Sequence, residues 1–202
     1  MFYRRLPTVL LAAGGVLTLS ACATGPSAVE VTRFHDPAAL SAATRGTVNV
    51  TAAPGFTDSL ALSPYQGVVA EELRQLGYEV SASSTARYRA EVRVDRFQRG
   101  VDGVRSPVSV GVGGSTGGFG SGVGLGVGIN LGGGGGARVG TELAVTLRDT
   151  ATNQSVWEGR AEVDYSARSD FADARANAEV LADALFRDFP GNNGETVRVN
   201  VR

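Results

Sequence analysis

Alternation of apolar and polar residues is the most frequent pattern in this chain, and it predicts a β-sheet. In Tyr88–Asp95, tyrosine, alanine and valine alternate with arginine, glutamate and aspartate. The same period of two occurs in Thr141–Leu147 and in Trp157–Tyr165, which a short polar turn separates. Because successive side chains of a strand point to opposite faces, each segment predicts a strand with one buried and one solvated face. The last two segments predict a hairpin.

The polar faces of these three segments carry complementary charges. Arginines dominate the first face, whereas carboxylates are frequent on the other two, so we expect cross-strand ion pairs that contribute about 0.2–1 kcal/mol each. Phe97 has the wrong parity for the first segment. This break predicts a bulge, or the end of regular pairing, near Arg96.

Shorter segments with the same alternation complete the predicted sheet. They are rich in valine and are bounded by turn-forming residues such as Asp36-Pro37 and Pro54-Gly55. The additional strands predicted in this way are Val29–Phe34, Thr47–Thr51, Tyr78–Ser81 and Thr196–Val201.

Two helices are predicted from apolar residues spaced three and four apart. The first begins at Ser63-Pro64, a hydroxyl cap followed by proline, and ends at Gly77. The second begins near Ser169-Asp170 and ends at Pro190-Gly191. Their core-facing residues are Tyr65, Val69, Leu73 and Leu76 in the first helix and Phe171, Ala174, Ala178, Leu181 and Leu185 in the second. The predicted class is α+β: a mostly antiparallel sheet of about six or seven strands with two helices packed on one face.

A glycine-rich tract interrupts the predicted sheet. Gly111–Gly136 holds 15 of the 28 glycines, a density typical of flexible loops because glycine loses the most entropy on ordering. Yet every odd position of Phe119–Leu131 other than Ser121 is apolar, and Val108, Val110 and Val112 alternate likewise. Three interpretations stay open: a low-complexity loop, a hairpin that extends the sheet, or a hairpin that inserts into a membrane within an oligomer.

The N-terminal sequence has the pattern of a secretory signal. Arg4 and Arg5 precede an apolar run, Leu6–Leu19, which is shorter than the about 20 residues of a membrane span. The run ends at Leu19-Ser20-Ala21-Cys22, which resembles a bacterial lipobox. The resemblance implies that Cys22 is diacylated on sulfur, becomes the new N-terminus and is acylated there too, with palmitate as the typical chain. Two or more acyl chains give a stable membrane anchor.

These features divide the chain into three parts. Residues 1–21 are predicted to be a lipoprotein signal peptide, and residues 22–28 the acylated cysteine with a short tether. Residues 29–202 are predicted to form a single α+β domain with a glycine-rich insertion at about 106–138. Ala23 replaces the aspartate that favours inner-membrane retention in enterobacteria-like sorting. The lipobox resemblance therefore implies an outer-membrane anchor facing the periplasm.

Composition excludes several functions. The net charge is −1, and removal of the signal peptide leaves about −3, so no nucleic-acid partner is expected. Cys22 is the only cysteine, which leaves no internal disulfide and no thiolate catalysis once it is acylated.

No constellation of residues suggests catalysis. His35 is the only histidine and has neither a second imidazole nor a free cysteine beside it, so we expect it to cap or pack at a strand end. The Gly-x-Ser-x-Gly match around Ser115 lies in the glycine tract, without strand-turn-helix context. Glu71-Glu72 and the Glu162/Asp164 pair are expected on solvated surface. Trp157 is expected in the core. We predict no catalytic residues, no cofactor and no metal.

Several short motifs follow one another along nearly the whole predicted mature chain: Phe34-His-Asp-Pro, Ser63-Pro-Tyr65, Leu73-Arg-Gln-Leu-Gly-Tyr78, Tyr88–Asp95, Leu143–Asp149, Val156-Trp-Glu-Gly-Arg-Ala161 and Asp188-Phe-Pro190. Taken in this order, they resemble the bacterial lipoprotein family called domain of unknown function 4136. The family offers no established activity and no catalytic residues to transfer. Its members tolerate variable insertions where the glycine tract lies, which favours the loop interpretation.

The sequence therefore predicts a periplasmic lipoprotein anchored through Cys22, with a non-catalytic binding or scaffolding role in the cell envelope. Its partner is expected to be the membrane, together with an envelope protein or another copy of itself. The alternative is an oligomeric envelope or transport component that inserts the glycine-rich hairpin into the membrane.

Overall fold

The structure of the chain is a computed structural model, which describes residues 28–42, 45–56, 60–99, 105–107 and 138–201. Cys22, the signal sequence and the tether up to residue 27 lie outside these residues. So does the glycine tract, apart from a three-residue strand before it. The predictions made for those segments therefore stay predictions.

Helices and strands form an α+β fold, as predicted. The helices are α1 (Pro37–Ala42), α2 (Ser63–Gln75) and α3 (Ala174–Phe186), with a single 3₁₀ turn at Asp170–Ala172. The strands are β1 (Ala28–His35), β2 (Thr47–Ala52), β3 (Glu79–Val80), β4 (Tyr88–Arg99), β5 (Arg105–Pro107), β6 (Arg138–Asp149), β7 (Ser155–Ser166) and β8 (Thr196–Asn200). The two predicted helices correspond to α2 and α3, whereas α1 was not predicted.

The sheet is mixed: most of its described pairings are antiparallel, but it also contains parallel pairing, which the prediction did not include. Its strands follow the order β3-β2-β4-β6-β7-β1-β8, and β5 pairs with the end of β4. Strand β2 runs parallel to both of its neighbours, whereas the other pairings described are antiparallel. The cause is helix α2, which carries the chain from the end of β2 back to the start of β3 and so makes them parallel.

Helices α2 and α3 pack on one face of the sheet, here called the inner face. Tyr65, Val69 and Leu73 of α2 and Leu181 and Leu185 of α3 are at most 1% exposed. They form one apolar cluster with the alternate residues of the long strands, which include Val29, Val31, Val92, Leu143, Val145, Ala161 and Val163. The opposite face of the sheet, which carries neither α2 nor α3, is here called the open face.

The bulge predicted near Arg96 is absent. Strand β4 stays paired with β6 without a shift as far as Arg99, opposite Arg138. Phe97 lies on the open face and is nevertheless buried, because its ring covers Gly140: a Cβ there would lie 2.1 Å from the ring. A glycine on the neighbouring strand thus gives room to an aromatic residue of unexpected parity.

Several chain segments leave the sheet at one common end. Ala28 pairs with Asn200 at this end, and Arg138 pairs with both Ser166 and Arg99. We call it the Ala28 end. The chain enters the sheet there at β1, and the segment of residues 100–137 both leaves and returns there, since Arg99 and Arg138 are direct neighbours.

Candidate functional site

The open face carries a row of carboxylates that crosses four strands. Asp95 lies opposite Glu142, Glu142 opposite Glu162, and Glu162 opposite Glu30. Like charges directly opposite each other destabilise a sheet. This acidic row therefore requires compensation from neighbouring residues.

Arginines from adjacent positions neutralise the acidic row. Arg93 reaches two of its members, with Nη2 2.8 Å from Glu142 Oε1 and Nε 3.3 Å from Asp95 Oδ2. Arg198 Nη2 lies 2.8 Å from Glu30 Oε1. The predicted complementarity of the polar faces is confirmed by these cross-strand pairs. The result is a face of alternating charge in which most cations and anions are already paired.

Arg99 lies on the side of the acidic row that is nearer to the Ala28 end. Its Nε lies 2.7 Å from Asp164 Oδ2, and its Nη2 donates a hydrogen bond to Glu162. The hydrogen bond to Asp164 raises the pKa of the Arg99 guanidinium above its ordinary value. A cleft of about 390 Å³ lies here, lined by Ala28, Glu30, Arg99, Arg138, Glu162, Asp164 and Arg198.

The end of the open face away from the Ala28 end holds a further carboxylate that is paired with arginines. Glu91 is only 6% exposed and lies between two arginines, with Arg89 Nε at 2.8 Å and Arg148 Nε at 3.5 Å. A buried carboxylate needs such partners, because an unpaired charge away from water is costly.

Phe34 is a large apolar residue that stays exposed on this polar face, unlike Phe97, which is buried. It belongs to β1 and is 54% exposed. Beside it lies a hollow of about 270 Å³ whose floor is made of short side chains, including Thr32, Ala144 and Thr146. A large exposed ring beside a shallow hollow, surrounded by charged residues, is the composition of a protein-binding patch.

A buried polar network links the two helices to the sheet on the inner face. Arg96 Nη2 donates to Tyr65 OH at 2.9 Å, and Tyr65 OH donates to Asn177 Oδ1 at 2.9 Å. Burial raises the pKa of Tyr65, although the nearby Arg96 opposes the shift. Asn177 is fully buried, and its Nδ2 has no hydrogen-bond partner within the described ranges. This network fixes α2 and α3 to β4.

The residues weighed for catalysis are dispersed. His35 lies at the end of β1, where Asn193 Oδ1 accepts a hydrogen bond from its backbone nitrogen at 3.1 Å. Glu71 is exposed and pairs with Arg74 at 3.1 Å. Glu72 is half-buried rather than solvated, and burial raises its pKa with help from Asp183 and Glu71.

Trp157 lies in the core, as predicted. It is 1% exposed and stacks on Phe186 with the ring centroids 5.4 Å apart. Its Nε1 donates to the carbonyl oxygen of Pro190 at 3.0 Å. Its role in the described structure is to join β7 to the segment after α3.

Glu162 and Asp164 are half-buried partners of Arg99 and not fully solvated surface, which corrects the prediction for this pair. The sequence interpretation missed Arg99 and Phe34 as parts of the open face. Strand parity in the sequence could have placed both residues on this face. Phe34 occupies the next outward position of β1 after Glu30 and Thr32, and Arg99 occupies the next open-face position of β4 after Phe97.

Two negative findings apply to the described part of the chain. No group of three or more His, Cys, Asp or Glu residues there could hold a metal ion. No helix there is both long enough and apolar enough to cross a membrane.

The fold and its open face define an α+β protein with one helical layer and a charge-paired sheet surface. The chain belongs to the family described as Domain of unknown function (DUF4136), whose sequence profile matches residues 43–191. This match confirms the resemblance drawn from the sequence. Strands β1 and β8, and with them the motif Phe34-His-Asp-Pro, lie outside the matched residues.

Other similar proteins carry little functional information. An uncharacterized protein of Zymomonas mobilis is 41% identical over 64 residues, which span 31% of this chain but only 23% of that protein. The PelC dodecamer from Paraburkholderia phytofirmans is 18% identical, with a TM-score of 0.43 over 76% of this chain and 91% of that one. A PDZ domain protein from Parabacteroides distasonis is 8% identical, with a TM-score of 0.44 over 86% of this chain and 39% of that one.

Proposed function

We propose that this protein is a lipid-anchored lipoprotein of the outer membrane that binds or scaffolds an envelope protein in the periplasm, without catalysis. The anchor is supported by Leu19-Ser-Ala-Cys22, which resembles a lipobox. The binding role is supported by one observation above all: Phe34 is 54% exposed on an otherwise charge-paired face.

The open face suits a folded or extended protein partner better than a polyanion. Its arginines alternate with carboxylates that already neutralise them, as in the pairs of Arg93 with Glu142 and Arg99 with Asp164. Such a surface has no single-sign field to attract nucleic acid. Because ion pairs hold these side chains in place, little rotamer entropy is lost when a partner docks on them.

Metabolic labelling with a palmitate analogue tests the anchor. The wild-type chain should incorporate the label and fractionate with membranes, whereas Cys22→Ala should do neither. A Cys22→Ala protein that still labels and sediments with membrane would contradict the proposal.

Site-specific photocrosslinking in cells tests the binding face. A photoreactive residue at Phe34 should give a discrete adduct of defined mass, and Arg160→Glu, which reverses a charge beside the hollow, should weaken that adduct. The matched control is the same probe at Glu71, which is exposed on the helical layer. Equal adducts from both positions would refute a specific role for the open face.

The second candidate is an oligomeric envelope or transport component that inserts its glycine-rich hairpin into the membrane. Two observations favour it: the alternation in Phe119–Leu131, and the antiparallel pairing of β4 with β6, the strands that flank the segment of residues 100–137. In lipid, only a closed oligomer would satisfy the edges of such a hairpin. Native mass spectrometry in detergent that finds only monomers would contradict this candidate.

A further inference from the structure

We infer that the Ala28 end of the sheet faces the lipid surface, with Arg138 directed towards the phosphates of the lipid headgroups. This orientation rests on the lipid anchor proposed above and adds to it the surface that meets the membrane. It follows from chain length, strand register and charge.

Chain length limits how far the sheet lies from the membrane. Five residues lie between Cys22 and Ala28, so even a fully extended tether spans only about 20 Å. Strands β4 and β6 have 12 residues each, a length of about 40 Å. The tether is therefore too short for the opposite end of the sheet to face the membrane while Ala28 points away from it.

Strand register places basic residues at the outermost part of this end. Glu30 lies opposite Glu162, so continuing this register places Ala28 at the level of Asp164, whereas Arg99 and Arg138 lie two residues beyond that level, with Ser166. The acidic residues thus lie further from the end of the sheet than Arg99 and Arg138 do. Guanidinium groups bind phosphate through paired hydrogen bonds.

Arg138 is the best placed of these arginines. It is exposed, and its Nη2 makes a long contact of 3.5 Å with the carbonyl oxygen of Asp164. Arg99 is half-buried and held by two carboxylates, so it supports the cleft below. Arg138 therefore has the reach and the exposure to contact a headgroup phosphate.

Depth-dependent fluorescence quenching tests the orientation. The acylated full chain is reconstituted in liposomes of zwitterionic and anionic phospholipids, some of which carry a nitroxide on the headgroup. A fluorophore is placed either on Asn200→Cys, at the Ala28 end, or on Thr152→Cys, in the exposed turn at the opposite end. Because Cys22 is acylated, only the introduced thiol reacts with the fluorophore.

The fluorophore at position 200 should be quenched several-fold more than the one at position 152. Equal quenching at both positions, or stronger quenching at position 152, would overturn the inference. Flotation of the liposomes measures anchoring separately. A chain that does not float refutes the proposed lipid anchor and the inference with it, whereas a chain that floats without the expected difference refutes the orientation alone.

Charge reversal tests the role of the arginine. Arg138→Glu should reduce quenching at position 200, and the loss should be larger when anionic lipid is present. The matched control is Arg74→Glu, an exposed arginine on α2 near the opposite end of the sheet. Unchanged quenching in Arg138→Glu, or an equal loss in the control, would refute the contact with phosphate.

Discussion

Replacement of Arg33 by methionine is expected to destabilise this fold strongly. Arg33 is only 5% exposed and lies on the inner face of β1. Its Nε donates to the carbonyl oxygen of Leu185, and its Nη2 donates to those of Ala184 and Arg187, each at 2.8 Å. These carbonyls belong to the last turn of α3 and to its C-cap residue, Arg187, where the helix itself leaves carbonyls without partners. Burial lowers the pKa of the guanidinium, which nearby Asp188 partly opposes.

The expected loss follows from the groups left without partners. A hydrogen bond from a charged donor contributes about 1.5–3 kcal/mol, and Arg33 makes three of them. Methionine also removes the cost of burying a cation, which offsets part of this loss. We therefore expect Arg33→Met to lower the free energy of unfolding by about 3–5 kcal/mol, because each buried carbonyl left without a donor costs about 1–3 kcal/mol and three carbonyls lose theirs.

Urea unfolding followed by tryptophan fluorescence measures this loss. Trp157 is the only tryptophan, and it contacts Phe186 at the same end of α3. The matched control is Arg198→Met on the adjacent strand, whose side chain is 77% exposed and pairs with Glu30. An exposed pair contributes about 0–1 kcal/mol, so the control should unfold almost like the wild type.

Two results would refute the reasoning. A loss below about 1 kcal/mol in Arg33→Met would mean that water or a rearranged helix end satisfies the carbonyls as well as the guanidinium does. Wild-type stability in Arg33→Lys would mean that the forked geometry is unimportant, since an ammonium group cannot reproduce it.

Three further changes have defined outcomes. Gly159→Ala should cost about 1–3 kcal/mol in thermal unfolding, because a Cβ there would lie 2.3 Å from the ring of Trp157; an unchanged melting temperature would contradict the close packing. Tyr65→Phe should cost about 1–3 kcal/mol in urea, because it leaves Asn177 Oδ1 buried without its donor, and Asn177→Leu in the same chain should recover part of the loss; no recovery would contradict the network. Asp173 caps α3, and hydrogen bonds from backbone nitrogens lower the pKa of its carboxyl. The stabilisation by this carboxylate is therefore present above the unfolded pKa of about 3.9 and is lost as the pH falls through the lower folded pKa. Asp173→Asn should keep the cap but lack this acid-dependent loss of stability, which melting curves recorded at decreasing pH would detect.

Strand alternation and helix periodicity were sufficient to predict most of the fold. Side-chain parity alone assigned Val92 and Leu143 to the inner face and Arg93 and Glu142 to the open face, because a strand in a two-layer fold must bury one face. The proline of Ser63-Pro64 gave the start of α2 for a similarly local reason, but the predicted hydroxyl cap was wrong: Leu62 is the N-cap, and no side chain makes a capping hydrogen bond there.

The remaining features depend on contacts between distant residues. The parallel pairing of β2 cannot be read from its own sequence, because alternation is compatible with either direction of a neighbouring strand. The sequence interpretation assigned Phe97 to a bulge because the space that its ring occupies is provided by Gly140, which lies on another strand. Arg33 interrupts the apolar parity of β1, and its reason for burial is the end of α3, about 150 residues further along the chain.

The candidate site was predicted less completely than the fold. The charges of the open face were visible in the sequence, but the acidic row depends on the register of four strands, which local patterns do not fix. The exposure of Phe34 depends on the neighbouring side chains at Ala144 and Thr146 being short. Cys22 lies outside the described residues, so its acylation stays a prediction from sequence.

The position of β1 determines the order in which the sheet can assemble. Ribosomes make β1 first, yet its neighbours are β7 and β8, near the other end of the chain: Thr32 pairs with Thr196, 164 positions later. Contacts of such long range form slowly, because closing the intervening chain costs entropy before any contact repays it. Strand β1 can therefore pair on both edges only once β7 and β8 exist, and only a nearly finished polypeptide can complete its sheet.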